Sequence, residues 1–163
     1  MREIKFRGKA KYKTQEFNKG EWVYGYYFYT KIQDEHYIYA PLCNQDGSVG
    51  IIAQVEVIPE TVGQYIGLKD KEGNEIYEGD ILAIEDQYTN VILGDGTGPT
   101  EKFNHIVEVY YDMGQYVVDT KTNGDFIPET DALPLYTIIK DLVGKENIEI
   151  IGNKYENQEL LEG

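Results

Sequence analysis

The sequence predicts an all-β protein, mainly strand with one short helix, in which an N-terminal sheet region precedes a small C-terminal barrel. Three observations point there. Apolar and polar residues alternate with period two over several stretches, the pattern that puts one set of side chains on each face of a strand. Reversals are closely spaced: Lys71-Glu72-Gly73-Asn74 and Glu78-Gly79-Asp80 turn the chain twice between two apolar runs, which suits short, strongly bent strands. Finally, the 163 residues include fifteen Tyr and five Phe, and aromatic side chains favour sheet.

Taken in order, the first element is a strand from Ile4 to Lys13. Ile4, Phe6, Ala10 and Tyr12 fall on one face, and Lys5, Arg7, Lys9, Lys11 and Lys13 form a basic stripe on the other. That stripe reads as a solvated outer face whose lysines discourage edge pairing, or as a docking stripe for phosphates or acids. Asn18-Lys19-Gly20 is a turn. From Glu21 to Tyr29, residues Trp22, Tyr24, Tyr26 and Phe28 share one face, with Val23, Tyr27 and Tyr29 on the other. A reversal at Gln33-Asp34-Glu35 leads to a second aromatic strand, His36 to Ala40, stopped by Pro41 and carrying Tyr37 and Tyr39. Together these read as an aromatic hairpin with cross-strand pairs. A stripe of this kind is more often core than binding surface, although it could also stack on a ligand or peptide. Both readings use the same strand, and alternation alone does not separate them.

Asn44 to Gly50 is a turn-rich loop, followed by a β-branched strand, Ile51 to Ile58, that ends at Pro59. Pro59-Glu60-Thr61 is the expected division, with an N-terminal region of residues 1–60 and an acidic C-terminal domain of residues 61–163. After the double-turn stretch, Gly94 to Pro99 reads as a loop, since no Gly-Lys-Ser/Thr follows to make a phosphate cradle. His105 to Tyr111 and Gln115 to Thr120 form a hairpin through Asp112-Met113-Gly114, and Asn123-Gly124-Asp125 turns the chain again. The spacing of Leu135, Ile138, Ile139 and Leu142 predicts a short helix between Leu133 and Val143. A strand over Ile148–Ile151 and a helical turn over Asn157–Leu161 complete the chain.

Charge is divided unevenly. The net charge is −14. Residues 1–60 hold eight Lys/Arg and eight Asp/Glu, whereas residues 61–163 hold seven and twenty-one, so the second part carries the whole excess. Such a field serves solubility first, repels nucleic-acid phosphates and favours a basic partner. No apolar run approaches the ~20 residues of a membrane span, and no signal-peptide core opens the chain. Cys43 is the single cysteine, so no internal disulfide forms, and a cytoplasmic protein with no membrane association is the expectation.

No residue pattern predicts catalysis. His36 and His105 are far apart, with no ligand-type spacing around either, so no metal site is expected. Cys43 lacks a nucleophile context, and no Gly-x-Ser-x-Gly elbow is present. No cofactor is expected. The preferred reading is a non-catalytic protein-binding module. The alternatives are a nucleic-acid-binding accessory protein working through the basic strand, and an acidic mimic of DNA. Opposite charge at the two ends of the chain, with the alternating N-terminal strand, also suits a strand-mediated homo-oligomer.

Three blocks carry a family resemblance. Arg2 to Lys9 with Gly20-Glu21-Trp22-Val23-Tyr24-Gly25, then Gln64 to Ile81, then Glu149 to Leu161 resemble the opening, central and C-terminal signatures of the YopX proteins of phages and prophages. Ile66, Lys154 and Gln158 depart from the usual Thr, Ile or His, and Pro at those positions. The resemblance implies an all-β protein whose C-terminal part is an SH3-type barrel, and it brings no established activity with it. Within the signature, Gly67, Leu68, Asp70, Gly73, Tyr77, Gly79, Asp80, Gly152 and Asn153 read as structural, glycines supplying turns and Asp80 capping backbone amides.

Overall fold

The computed structural model describes residues 3–89, 100–112, 114–118, 133–135 and 145–161. Among these the protein is all-β, with strands in two antiparallel sheets. It divides into two units, Met1–Gly67 and Leu68–Gly163.

The first unit supplies five neighbouring strands of a six-stranded sheet, in the order β4-β3-β2-β1-β5: β1 (Phe6–Lys9), β2 (Trp22–Thr30), β3 (Glu35–Cys43), β4 (Val49–Glu56) and β5 (Gly63–Lys69). β1 is shorter than the alternation suggests. Beyond it, Ala10 bridges Val57, Lys11 and Tyr12 bend away, and Ile4 and Tyr12 are exposed instead of facing the core. The alternation itself holds over Phe6–Ala10. Ala10 and Phe6 join Val23, Ile38, Ala40, Ala53, Val55 and Val57 in a single apolar cluster on one side of the sheet.

β2 serves two neighbours in turn. Its first half pairs with β1, from Lys9 opposite Trp22 to Phe6 opposite Gly25. Its second half pairs with β3, from Tyr26 opposite Tyr39 to Thr30 opposite Glu35. The change of partner falls at Gly25, where a Cβ would lie far inside van der Waals contact with the Tyr39 carbonyl. Only glycine lets the two backbones approach this closely. β3 runs on through Pro41, which the sequence suggests as its end. Pro41 lies past Tyr39, the last β3 residue paired with β2, so no ladder on that side needs its missing N–H.

β5 passes from the first unit into the second at Gly67. The second unit continues with β6 (Glu75–Tyr77), β7 (Asp80–Thr89), β8 (Thr100–Asp112), β9 (Gln115–Val118), β10 (Leu133–Pro134) and β11 (Ile148–Asn153). The last five form a sheet of order β10-β9-β8-β7-β11. The β8–β9 reversal is the predicted hairpin, closed by Asp112 opposite Gln115 with Gly114 at φ 89°. A bulge between Ile150 and Gly152 bends β11 against β7. Leu133–Pro134 is strand, Leu135 is helical and fully buried, and residues 136–143 of the expected helix, like the Gly94–Pro99 loop and the Asn123–Asp125 turn, lie outside the described residues. A 3-10 turn at Gln158–Leu161 stands where a terminal helical turn is expected.

Candidate functional site

The candidate surface is the outer face of the first unit, and strand parity creates it. In β2, Val23 and Gly25 point to the core, so Trp22, Tyr24, Tyr26 and Phe28 point away from it. Tyr24, Tyr26 and Phe28 are 45%, 63% and 51% exposed. In β3, Ile38 and Ala40 are buried, which turns Tyr37 and Tyr39 outward. Register then sets Tyr39 beside Tyr26 and Tyr37 beside Phe28, with Phe28 and Tyr39 edge to face at 6.2 Å. The stripe that reads first as core is therefore the solvent face. The core is carried by the smaller residues between the rings.

Polar groups frame the rings. Tyr37 donates its hydroxyl to Glu35 Oε2 at 2.7 Å, and this hydrogen bond pushes the phenol up to about 12. Glu56, opposite Tyr37 on β4, accepts from Lys11 Nζ. Ile52, opposite Pro41, adds an exposed apolar side chain.

The basic residues of β1 and its continuation do not form one open stripe. Arg7 is only 6% exposed, with its guanidinium carbon 4.6 Å from the Trp22 ring centroid. Lys9 Nζ lies 5.2 Å from the same ring, and Lys5 Nζ lies 6.0 Å from that of Tyr65. Lys11 is committed to Glu56, and Lys13 is exposed beyond the strand. Aromatic packing thus takes up the cations that alternation alone assigns to solvent.

A second cluster in this unit escaped sequence reasoning. Tyr27 Oη and His36 Nδ1 are 2.6 Å apart, and Tyr29 packs on the His36 ring at 4.8 Å while donating to Asp34. Burial raises the Tyr27 phenol above its ordinary value. The pairing of Tyr29 with His36 across the hairpin was readable only with the register in hand.

In the second unit the signature residues mostly bind backbone. Asp70 accepts from the Glu72 and Asn74 amides at 2.9 and 2.8 Å, from Asn74 Nδ2 at 3.1 Å, and from the Ile150 amide at 3.4 Å. Burial alone would raise its carboxyl, but these donors outweigh it and hold the group below its ordinary value. Asp80, 1% exposed, accepts from the Tyr77 amide at 2.7 Å. Gly67, Gly73 and Gly79 take positive φ. The Gly79 amide donates to the Val109 carbonyl, and its own carbonyl accepts from the Lys154 amide. Asn153 Oδ1 accepts from the Tyr155 amide, and its Nδ2 donates to Glu156. Gly152 abuts the Asn157 side chain. Tyr77 is buried with its hydroxyl on Glu75, and Leu68 is part-buried.

Among the described residues no group of three or more His, Cys, Asp and Glu could hold a metal ion. His105 is buried on β8, apart in sequence and unit from His36, and Cys43 is exposed at the end of β3. No helix of the described residues is long and apolar enough to cross a membrane.

Fold and surface together define a two-unit all-β protein with an aromatic face on its first sheet and turns organised by side-chain carboxylates in its second. Its family is shown by the match to the YopX protein family over residues 5–162: the chain belongs to that family. A crystal structure of protein EF1440 from Enterococcus faecalis is similar, at 22% identity, with 97% of each chain covered and a TM-score of 0.43. Among curated proteins none matches.

Proposed function

We propose that the protein is a non-catalytic, phage- or prophage-encoded binding module of the host cytoplasm that uses the outer aromatic face of its first unit to hold a basic protein partner. The observation that carries this reading is the exposure of Tyr24, Tyr26 and Phe28 beside Tyr37 and Tyr39 on a sheet whose other face already supplies the core. Rings left in water at this density mark contact surfaces, since aromatic side chains supply much of the energy of protein interfaces. The excess of negative charge on residues 68–163 supplies a long-range attraction for a cationic partner.

In this reading the second unit is an SH3-type barrel acting as scaffold. The β7-β8-β9 meander, and the 3-10 turn of Lys145–Asn147 leading into β11, support it. Self-association of the chain is a further part of the proposal, and sedimentation of the purified protein tests it.

The test is affinity capture from lysogenic cells with the wild-type chain and with Tyr26→Ala/Phe28→Ala. A partner held by wild type, lost by the variant and released as salt rises supports the reading. A partner retained equally by both, or a gel shift with DNA or RNA that depends on Lys5 and Lys9, overturns it.

A further inference from the structure

We infer that the occupant of this face is an extended, arginine-rich segment of the partner, with guanidinium groups lying over successive rings. The inference rests on the protein-binding reading above and names the chemistry that reading leaves open.

The first argument is what the sheet does with its own cations. On the β1 side, Arg7 and Lys9 lie over Trp22, and Lys5 lies near Tyr65. Farther along, among the described residues, no cation lies over Tyr26, Phe28 or Tyr39, although these rings face the same side and Tyr26 and Phe28 are the more exposed. The face therefore holds cations at one end and presents the same kind of ring, uncovered, at the other.

The second argument is spacing. Tyr24, Tyr26 and Phe28 are alternate residues of one strand, so they recur about every 6.8 Å. Alternate side chains of an extended peptide have the same repeat. Arginines at every second position of such a peptide fall into step with the rings, whereas a helix or a compact lysine patch does not.

The third argument is charge. Rings alone would accept an apolar segment, but a carboxylate stands at this corner of the face: Glu35 accepts from the Tyr37 hydroxyl, whereas Glu56, opposite Tyr37, is already paired with Lys11. The chain as a whole carries −14. Arginine is favoured over lysine because its planar guanidinium stacks on a ring and forks onto a carboxylate, while the ammonium is a compact, strongly hydrated charge.

The experiment titrates the full chain with two synthetic nine-residue peptides, one alternating Arg and Ser and one alternating Lys and Ser, at physiological salt. Binding is followed by calorimetry and by amide chemical shifts. The arginine peptide is expected to bind at least about tenfold tighter than the lysine peptide, and shifts should concentrate on β2 and β3. Tyr26→Leu/Phe28→Leu, which keeps apolar bulk and removes the π faces, should lose at least about tenfold. Glu146→Gln/Glu159→Gln, in the second unit, should lose less. Equal affinity for the two peptides, or no loss in the leucine variant, overturns the inference by reducing the attraction to net charge. Tighter binding of an oligothymidine by the same face also overturns it, in favour of single-stranded nucleic acid. If the face variant still abolishes capture of a cellular partner while the arginine peptide fails to bind, the protein-binding reading stands and this inference falls. If neither responds, both fall.

Discussion

In the first unit the side chains that make the sequence unusual point out of the sheet, whereas in the second they turn back onto the main chain. Tyr24, Tyr26 and Phe28 of β2 and Tyr37 and Tyr39 of β3 leave the core to Val23, Ile38, Ala40, Ala53, Val55 and Val57. Asp70, Asp80 and Asn153 accept from amides at turns, so their polar atoms serve the fold. The charge divides along the same line, since residues 68–163 carry the whole excess of acid. The contrast teaches that the most recognisable part of a sequence need not be its working surface. The central signature, Gln64 to Ile81, is chiefly a set of turn instructions. The exposed rings, which the proposal takes as the contact surface, lie in the plainer aromatic alternation before it.

The severest way to break this comparison is Gly25→Ala. A methyl group there meets the β3 backbone at the Tyr39 carbonyl, which cannot yield without opening the sheet. The expected cost is about 3 kcal/mol or more, read by denaturant unfolding, with amide-exchange protection falling first in β2 and β3. A variant as stable as wild type would show that the approach of β2 to β3 does not require glycine.

Next in size is Asp80→Ala, which strips a buried acceptor from the Tyr77 amide. The expected loss is about 2–3 kcal/mol, seen in the exchange of second-unit amides. Gly79→Ala should follow at about 1–2 kcal/mol, because Gly79 has φ +83° and its Cβ would press on Tyr155. Loss of protection confined to the first unit in either variant would contradict the scaffold role.

Asp70 gives a pH-dependent effect. Its carboxyl titrates below the ordinary 3.8 in the folded chain. A depressed folded-state value means that the stabilisation is complete above the unfolded value and is lost as pH falls through the folded one. Stability should therefore drop on acidification below about pH 4. Asp70→Asn should cost about 1–2 kcal/mol at neutral pH and show a shallower acid limb. Parallel acid limbs in the two proteins would separate Asp70 from the effect.

The smallest stability effect sharpens the comparison most. Tyr26→Ala/Phe28→Ala alters exposed rings outside the described core cluster of the first unit, so unfolding free energy should change by only about 0.5 kcal/mol per site while partner binding collapses. A large loss of stability with no change in binding would return the stripe to a structural role.

Alternation and turn chemistry were enough to read the strand class, the hairpin of β2 and β3, the reversals at Gly73 and Gly79, and the β8–β9 hairpin, because these depend on neighbours a few residues apart. They also placed the aromatic residues together. They could not say which face meets solvent, since period two describes both faces equally well. That was decided by long-range packing: Val23, Ile38, Ala40, Ala53, Val55 and Val57 close into one apolar cluster on the inner face, and Gly25 admits β3 beside β2. The same limit applies to Arg7, an outward-parity cation that is buried because Trp22 lies beside it, and to Asp70, whose fourth donor comes from Ile150 at the far end of the chain. Local sequence determines which conformations each segment prefers; only long-range packing decides which of its faces the protein keeps for itself and which it leaves to others.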